Sequence, residues 1–412
     1  MNATKVLVVD DRVLYRKILR DVVDQLPGAV TVGTAVNGEN ALKQVERLNP
    51  DLILLDVEMP VMDGLSTLKV LRRDFPGIKV VMVSGGSQSA ADLTVQALEH
   101  GAMDFIPKPN GNSPEDSRRQ LSERIGSVLS VVRDSMPANS DPSVRPALAP
   151  VPSSSLSAPA RSTSLTRTPP PRTPRLMALP APRTPTPQSN LPLLPPPPGM
   201  AQPAAPPAIE IRKDVPRRFM LLAVGTSTGG PAALGIVIPA LPANFPLPVV
   251  VVQHMPAGFT QSLAQHLNGR SALEVSEAKD GDEVTRGRVL IAPGGRHMEV
   301  VRENGRYVVR MNDRPPVRSC RPSVDVLFES VALTVPGPVL SVVMTGMGDD
   351  GANGVAVLSQ KGSYNLVQDE KSSVVFGMPR AVSDRGLAHE LQPLERLAQR
   401  IQELAGNSGG LG

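Results

Sequence analysis

One interval decides what the rest of this chain can fold into. Half of its 44 prolines fall within residues 137–207, and between Ser143 and Ile209 there is neither an acidic nor an aromatic residue. Such a stretch buries too little apolar surface to offset the entropy of ordering a chain. Residues 136–216 are therefore expected to form a disordered, partly polyproline-II linker, kept soluble by its arginines. Any packed core must be built separately on either side, in residues 1–135 and 217–408. Hydrophobic residues make up 41% of the chain, but aromatics only 2%, with no Trp. Aliphatic side chains must fill both cores, as they do where parallel strands are covered by helices on both faces.

Composition also excludes partners. The net charge is +4, with much of the excess in the proline-rich interval rather than on a folded face. No basic helix with base-reading side chains occurs, so no nucleic-acid partner is expected. The single cysteine, Cys320, rules out a disulfide within the chain and fits a reducing compartment. Lying in a basic and polar run, it reads as an ordinary thiol. The opening MNATKVLVVDD has too short an apolar run for a signal peptide. No run approaches the ~20 apolar residues that span a bilayer. A soluble, cytoplasmic monomer without membrane insertion is expected.

The first 135 residues alternate aliphatic runs with amphipathic segments. KVLVV, VTVGTA, LILLD, KVVMVS and DFIPK read as the strands of a doubly wound, flavodoxin-like sheet. In such a sheet, function gathers beyond the carboxyl ends of the strands. Asp10 and Asp11 follow the first strand, Asp56 ends the third, Ser84 the fourth, and Lys108 follows the fifth. Three converging carboxylates repel one another unless a hard cation such as Mg²⁺ neutralises them. One aspartate could then accept a phosphoryl group, whose oxygens a hydroxyl and an ammonium would hold.

VVDD, LLDVEMPVMDG, VMVSGG and FIPKP resemble the receiver domain of two-component response regulators over its full length. The resemblance implies that Asp56 is the phosphoacceptor, fed by a histidine kinase. It implies that Asp10, Asp11, Asp56 and the Glu58 carbonyl bind Mg²⁺, and that Ser84 and Lys108 sense the phosphate. Phe105 stands where receivers carry a switch aromatic, although a core phenylalanine reads nearly as well.

In the C-terminal half, LLAVGTSTGGP reads as a strand over Met220–Val224, a turn over Gly225–Gly230, and a helix starting at Pro231. The turn lifts Ser227 clear of the sheet with backbone N–H groups beside it. That suits a nucleophile with an oxyanion hole, a phosphate cradle, or an incidental serine. PVVVVQHMP is a strand ending at His254. RVLIAPGGRHMEV ends another strand near His297, and EVVRENGRYVVRM reads as a hairpin turning at Asn304-Gly305. VLSVVMTGMGDDGANG is a strand running into Asp349 and Asp350.

Serine, histidine and aspartate thus each follow a strand of a mostly parallel sheet, whose carboxyl ends share one edge. The order Ser227, His254, Asp350 is not that of α/β-hydrolases, so another fold uses the same chemistry. His254 would act as base to Ser227, and Asp350 would orient the imidazole. Asp349 is the rival carboxylate and His297 the rival base. His100, His266 and His389 read as surface or structural. Backbone N–H groups near Thr228 and Met347 are the expected oxyanion donors.

GTSTGGP, QHMP, RPSVD, MTGMGDDGA and VVFGMPR, spread over residues 219–404, resemble the catalytic domain of chemotaxis protein-glutamate methylesterases. The resemblance implies the triad Ser227, His254 and Asp350, with Met347 in the oxyanion region. It implies hydrolysis of glutamate methyl esters and deamidation of certain glutamines on chemoreceptors, through an acyl-enzyme and without a cofactor. The alternative is a signalling adaptor with an idle output domain. A nucleotide-binding output lacks GxGxxG and a Walker lysine.

In that family the unphosphorylated receiver covers the active site across a short linker. A tether spanning residues 136–216 extends roughly 50 Å as a coil, which lowers the receiver's effective concentration. Deleting most of Pro142–Pro207 should raise that concentration about tenfold, lower basal activity and enlarge activation by phosphorylation. Steady-state hydrolysis with and without acetyl phosphate checks this; unchanged or raised basal activity would count against it.

Overall fold

The structure is a computed structural model that describes residues 3–109, 113–134 and 214–406, so nearly all of the expected linker lies outside them. The N-terminal half runs β1 (Thr4–Val9), α1 (Val13–Gln25), β2 (Ala29–Ala35), α2 (Gly38–Leu48), β3 (Leu52–Asp56), α3 (Gly64–Asp74), β4 (Lys79–Ser84), α4 (Gln88–Glu99), β5 (Asp104–Pro107) and α5 (Pro114–Asp134). All five expected strands form, in the order β2-β1-β3-β4-β5, every pairing parallel.

Strand alternation explains the layers. Val6 and Val8 pack with Leu19, Val22, Ile125 and Leu129 of α1 and α5. Leu7 and Val9 face the other way, towards Ala41, Val45 and Leu68 of α2 and α3. Side chains of Asn37, Asp63 and Ser87 accept backbone N–H groups at the starts of α2, α3 and α4.

The C-terminal half runs β6 (Leu222–Thr226), α6 (Gly230–Val237), β7 (Val249–Gln253), α7 (Phe259–Asn268), β8 (Glu274–Glu277), β9 (Arg288–Ile291), β10 (His297–Glu303), β11 (Arg306–Asn312), α8 (Val324–Thr334), β12 (Leu340–Val343), α9 (Ala352–Gln360), β13 (Tyr364–Gln368), α10 (Met378–Asp384), β14 (Glu390–Gln392) and α11 (Leu394–Gly406). A seven-stranded sheet has the order β14-β13-β12-β6-β7-β9-β8. All its pairings are parallel. The chain leaves β6 for β7 on one side and later lays β12 on the other, which opens a crevice at the carboxyl ends of these three strands.

β10 and β11 form the expected hairpin. Asn304 (φ 50°) and Gly305 (φ 82°) turn it, with Glu303 opposite Arg306. Two boundaries differ from expectation. β6 continues through Gly225 and Thr226, because both still pair with β7. β9 stops at Ile291, so His297 opens the hairpin instead of following a sheet strand directly.

The halves touch. α4 packs against α6 and α7, and Phe105 of β5 lies on Phe259 of α7 with ring centroids 4.6 Å apart. Among the described residues no helix is long and apolar enough to cross a membrane.

Gly225 lets α8 approach the sheet, since a Cβ there would overlap Val324 Cγ1 at the helix start. Gly225→Ala should cost about 1–3 kcal/mol of overpacking, readable as a lower urea midpoint. Activity should fall as well, because Val324 carries a contact to the site described next.

Candidate active site

Ser227 sits on the turn between β6 and α6. Its N–H donates to the Thr345 carbonyl (3.0 Å), and its carbonyl accepts from Gly230 N–H (2.8 Å). Gly229, with φ 78°, begins the helix in a backbone conformation natural to glycine, and Pro231 fills its first turn. The loop after β12 runs alongside: a Cβ on Gly346 would stand 2.8 Å from Ser227 Cβ, so only glycine lets the two segments meet. Among the described residues, nothing accepts a hydrogen bond from the backbone N–H groups of Thr228 and Met347. Met347 is exposed beside the crevice.

His254 follows β7, and its N–H donates to the Thr226 carbonyl (3.1 Å). Its ring Nε2 donates to Asp350 Oδ2 (2.7 Å). Asp350 in turn lies at the start of α8. Val324 N–H (2.7 Å) donates to Oδ2, while Asp325 N–H (3.1 Å) and Ser323 Oγ (2.9 Å) donate to Oδ1. A carboxylate placed on the open N–H groups of a helix start is stabilised as an anion. Burial works against ionisation of Asp350, but His254 and these donors outweigh it and hold the carboxyl below its usual range. Burial likewise opposes charge on His254, yet Asp350 and Cys320 raise its pKa to about 9.

The neighbouring aspartate serves elsewhere. Asp349 is half-buried and pairs with Arg318. His297 is fully buried, its Nε2 3.2 Å from the Pro315 carbonyl, and among the described residues no hydrogen bond joins it to either aspartate. His100 bonds its own helix at Gln96 O, and His389 lies against the Tyr364 ring. His266 is not at the crevice but pairs with Glu99 of α4 (2.6 Å).

One expected contact differs. Among the described residues no hydrogen bond joins Ser227 Oγ to His254. With Nε2 given to Asp350, the ring's other nitrogen, Nδ1, faces Cys320 Sγ at 3.5 Å.

Several neighbours of the site had no reading in the sequence. Ser323 and Asp325 lie in RPSVD, where a serine followed two residues later by an acid fits a helix start. Asp325 accepts from Gly351 N–H (2.9 Å) and Gly354 N–H (2.8 Å), so it supports the start of α9 beneath Asp350. Gln253 Nε2 donates to the carbonyls of both Ser227 (2.9 Å) and His254 (3.2 Å), tying the two turns together.

A second polar centre lies at the carboxyl edge of the N-terminal sheet. Ligand oxygens of Asp10, Asp11 and Asp56 lie within 4.8 Å of one another. Lys108 Nζ pairs with Asp56 (2.6 Å) and Asp10 (2.8 Å). Burial, opposed by Lys108 and reinforced by Asp10, raises Asp56 to about 6. Ser84 Oγ accepts from Thr94 Oγ1 (2.7 Å), and the Glu58 carbonyl accepts nothing among the described residues. Clustered hard oxygen donors of this kind fit Mg²⁺.

The two centres are joined through β5. Thr228 Oγ1, beside Ser227, donates to Asp104 Oδ2 (2.5 Å). Burial pushes the Asp104 carboxyl above its usual range. Gln88 Nε2 donates to Ser262 Oγ (2.7 Å), and Arg270 pairs with Glu99 (2.9 Å). Phe105 is buried in the apolar cluster that includes Val80, Met82 and Val95 of its own half, and its ring also meets Phe259 of α7.

The response regulator receiver domain profile matches residues 6–115, and the CheB methylesterase profile matches residues 222–401. The protein-glutamate methylesterase/protein-glutamine glutaminase of Desulfotalea psychrophila is 37% identical, over 97% of this chain and 98% of that one. That of Geobacillus kaustophilus is 37% identical over 98% of this chain and 100% of its own. The solved catalytic domain of the Thermotoga maritima CheB methylesterase is 40% identical, covering 45% of this chain and 98% of that one, with a TM-score of 0.44. Matched nearly end to end by such relatives, the chain belongs to the CheB methylesterase family and carries a response-regulator receiver domain.

Proposed function

We propose that the chain is a cytoplasmic, phosphorylation-controlled hydrolase. It removes methyl esters from glutamates of chemoreceptors and deamidates particular receptor glutamines. The observation that carries this is the His254–Asp350 pair, held by the start of α8 at the sheet edge that also carries the Ser227 turn. An anion buried so deliberately argues against an idle output domain.

In the proposed reaction Ser227 Oγ attacks the ester carbonyl carbon, and His254 Nδ1 takes the serine proton. Asp350, accepting from Nε2, fixes which nitrogen is free and stabilises the imidazolium. The carbonyl oxygen becomes an oxyanion beside the Thr228 and Met347 N–H groups. The proton on His254 passes to departing methoxide, releasing methanol, or to the departing amine of a glutamine, releasing ammonia. Water, deprotonated by the same nitrogen, then frees the glutamate carboxylate and restores Ser227.

Control belongs to the receiver. Asp10, Asp11, Asp56 and the Glu58 carbonyl would hold Mg²⁺, which neutralises charge while Asp56 takes a phosphoryl group from the chemotaxis histidine kinase. Ser84 and Lys108 would hold the phosphate oxygens. Unphosphorylated, the receiver restrains the site through Asp104 on Thr228 and Phe105 on Phe259.

Ser227→Ala should lose ~10⁴–10⁶-fold in methanol release from methylated receptor with little change in unfolding. Activity above a few per cent would remove serine from the mechanism.

The pH profile tests His254, which serves as base only when neutral. With its pKa raised to about 9, the rate should climb tenfold per pH unit through neutrality and level off near 9. The stability sign is opposite: the imidazolium–carboxylate pair contributes fully below about 6.5 and is lost as pH rises through about 9. A rate limb levelling near 6.5 would mean that Asp350 does not hold the imidazole in solution.

Asp56→Asn should abolish stimulation by acetyl phosphate and Mg²⁺, since an amide cannot form the acyl phosphate. Surviving stimulation would place the phosphoacceptor at another residue.

A further inference from the structure

We propose that a thiophilic divalent cation of the Zn²⁺ class binds between Cys320 Sγ and His254 Nδ1 and switches the hydrolase off. The regulatory consequence rests on the function proposed above; the binding site stands on its own geometry.

Sulfur and nitrogen are 3.5 Å apart. A tetrahedral zinc, with Zn–S near 2.3 Å and Zn–N near 2.0 Å, sets its ligands roughly 3.5 Å from each other. The imidazole is already arranged as zinc-binding histidines are. Its far nitrogen, Nε2, donates to the Asp350 carboxylate at 2.7 Å, which leaves Nδ1 facing the sulfur. Ligand atoms of His254, Cys320 and Asp350 all lie within 4.8 Å of one another. Asp350 is engaged by the start of α8, so its part is to orient the ring.

The sulfur is held in place too. Cys320 closes a tight turn with Val317 through paired backbone hydrogen bonds of 3.0 and 2.8 Å. Arg318 in that turn is anchored on Asp325 and Asp349. Cys320 is partly exposed, and the His254 side chain is 11% exposed, so the edge of the site is open to solvent.

The chain thereby offers two centres of opposite taste. Carboxylate oxygens of Asp10, Asp11 and Asp56 suit hard Mg²⁺, whereas a thiolate and an imidazole select a softer ion. On binding, the Cys320 thiol and, below a pH of about 9, the Nδ1–H of the His254 imidazolium give their protons to solvent, and sulfur and Nδ1 each donate a lone pair; water completes the coordination. The nitrogen lone pair engaged is the one that must accept the Ser227 proton, so a bound ion and a working base exclude each other.

The test uses the full chain with acetyl phosphate and excess Mg²⁺, which occupies the carboxylate centre. Buffered ZnCl₂ should suppress methanol release at micromolar free ion, and a zinc-selective chelator should restore it. In Cys320→Ala and Cys320→Ser, each compared with its own metal-free rate, half-inhibition should need about ten- to a hundredfold more zinc, as loss of a ligand demands. CoCl₂ should give a near-ultraviolet thiolate-to-cobalt band in the parent protein that is absent from both variants. Equal zinc sensitivity of parent and variants, or no such band in the cobalt-loaded parent, overturns the site. A chain that shows the cobalt band but never releases methanol retains the site and refutes the hydrolase function instead.

Discussion

A full negative charge cannot sit in a parallel-sheet crevice without donors, and Asp350 organises its surroundings around that requirement. The donors come from the first turn of α8, whose N–H groups have no partners within their own helix. The start of α8 must therefore stand at the carboxyl ends of β6, β7 and β12. That approach is close enough to forbid a side chain at residue 225. Asp325, one step along α8, receives the N–H groups of Gly351 and Gly354 and so sets where α9 departs. Two buried carboxylates thus fix two helices against three strands, and His254 inherits an orientation from all of them.

Much of this was legible in the sequence, for identifiable reasons. Strands such as LILLD and PVVVVQ are covered on both faces and so read as unbroken aliphatic runs. The Asn304-Gly305 hairpin was legible because both residues accept positive φ cheaply. Ser227, His254 and Asp350 could be placed on one edge because each follows a strand, and parallel topology does the rest. Neighbour order decided what spacing could not. Asp349 and Asp350 are adjacent in sequence, and only the position of Arg318 and of α8 shows which carboxylate meets His254.

Other contacts left no local signal. Cys320 reaches His254 from a turn in which Arg318 and Ser319 adopt φ of 50° and 64°, without the glycine that usually announces such a bend. Asp104 meets Thr228 across a separation of 124 residues, and nothing in either segment points to the other. Asp104 reads locally as the first residue of a receiver strand, while its role in the contact depends on how two independently patterned halves come together. The β6 boundary fell two residues late for a similar reason, since the glycine that reads as a strand breaker is required by a helix packed over it.

β5 contains only Asp104 to Pro107, with Lys108 immediately after it. One end of this short strand is tied to Thr228 and the other, through Lys108, to Asp56 and Asp10. Under the proposed control, coupling between these ends is reciprocal by thermodynamic necessity. If a phosphoryl group on Asp56 weakens the grip on Thr228, then a receptor segment that displaces Asp104 makes Asp56 easier to phosphorylate by the same free energy. Substrate then acts as an effector of its own hydrolase, and abundant methylated receptor draws phosphoryl groups towards the protein that demethylates it.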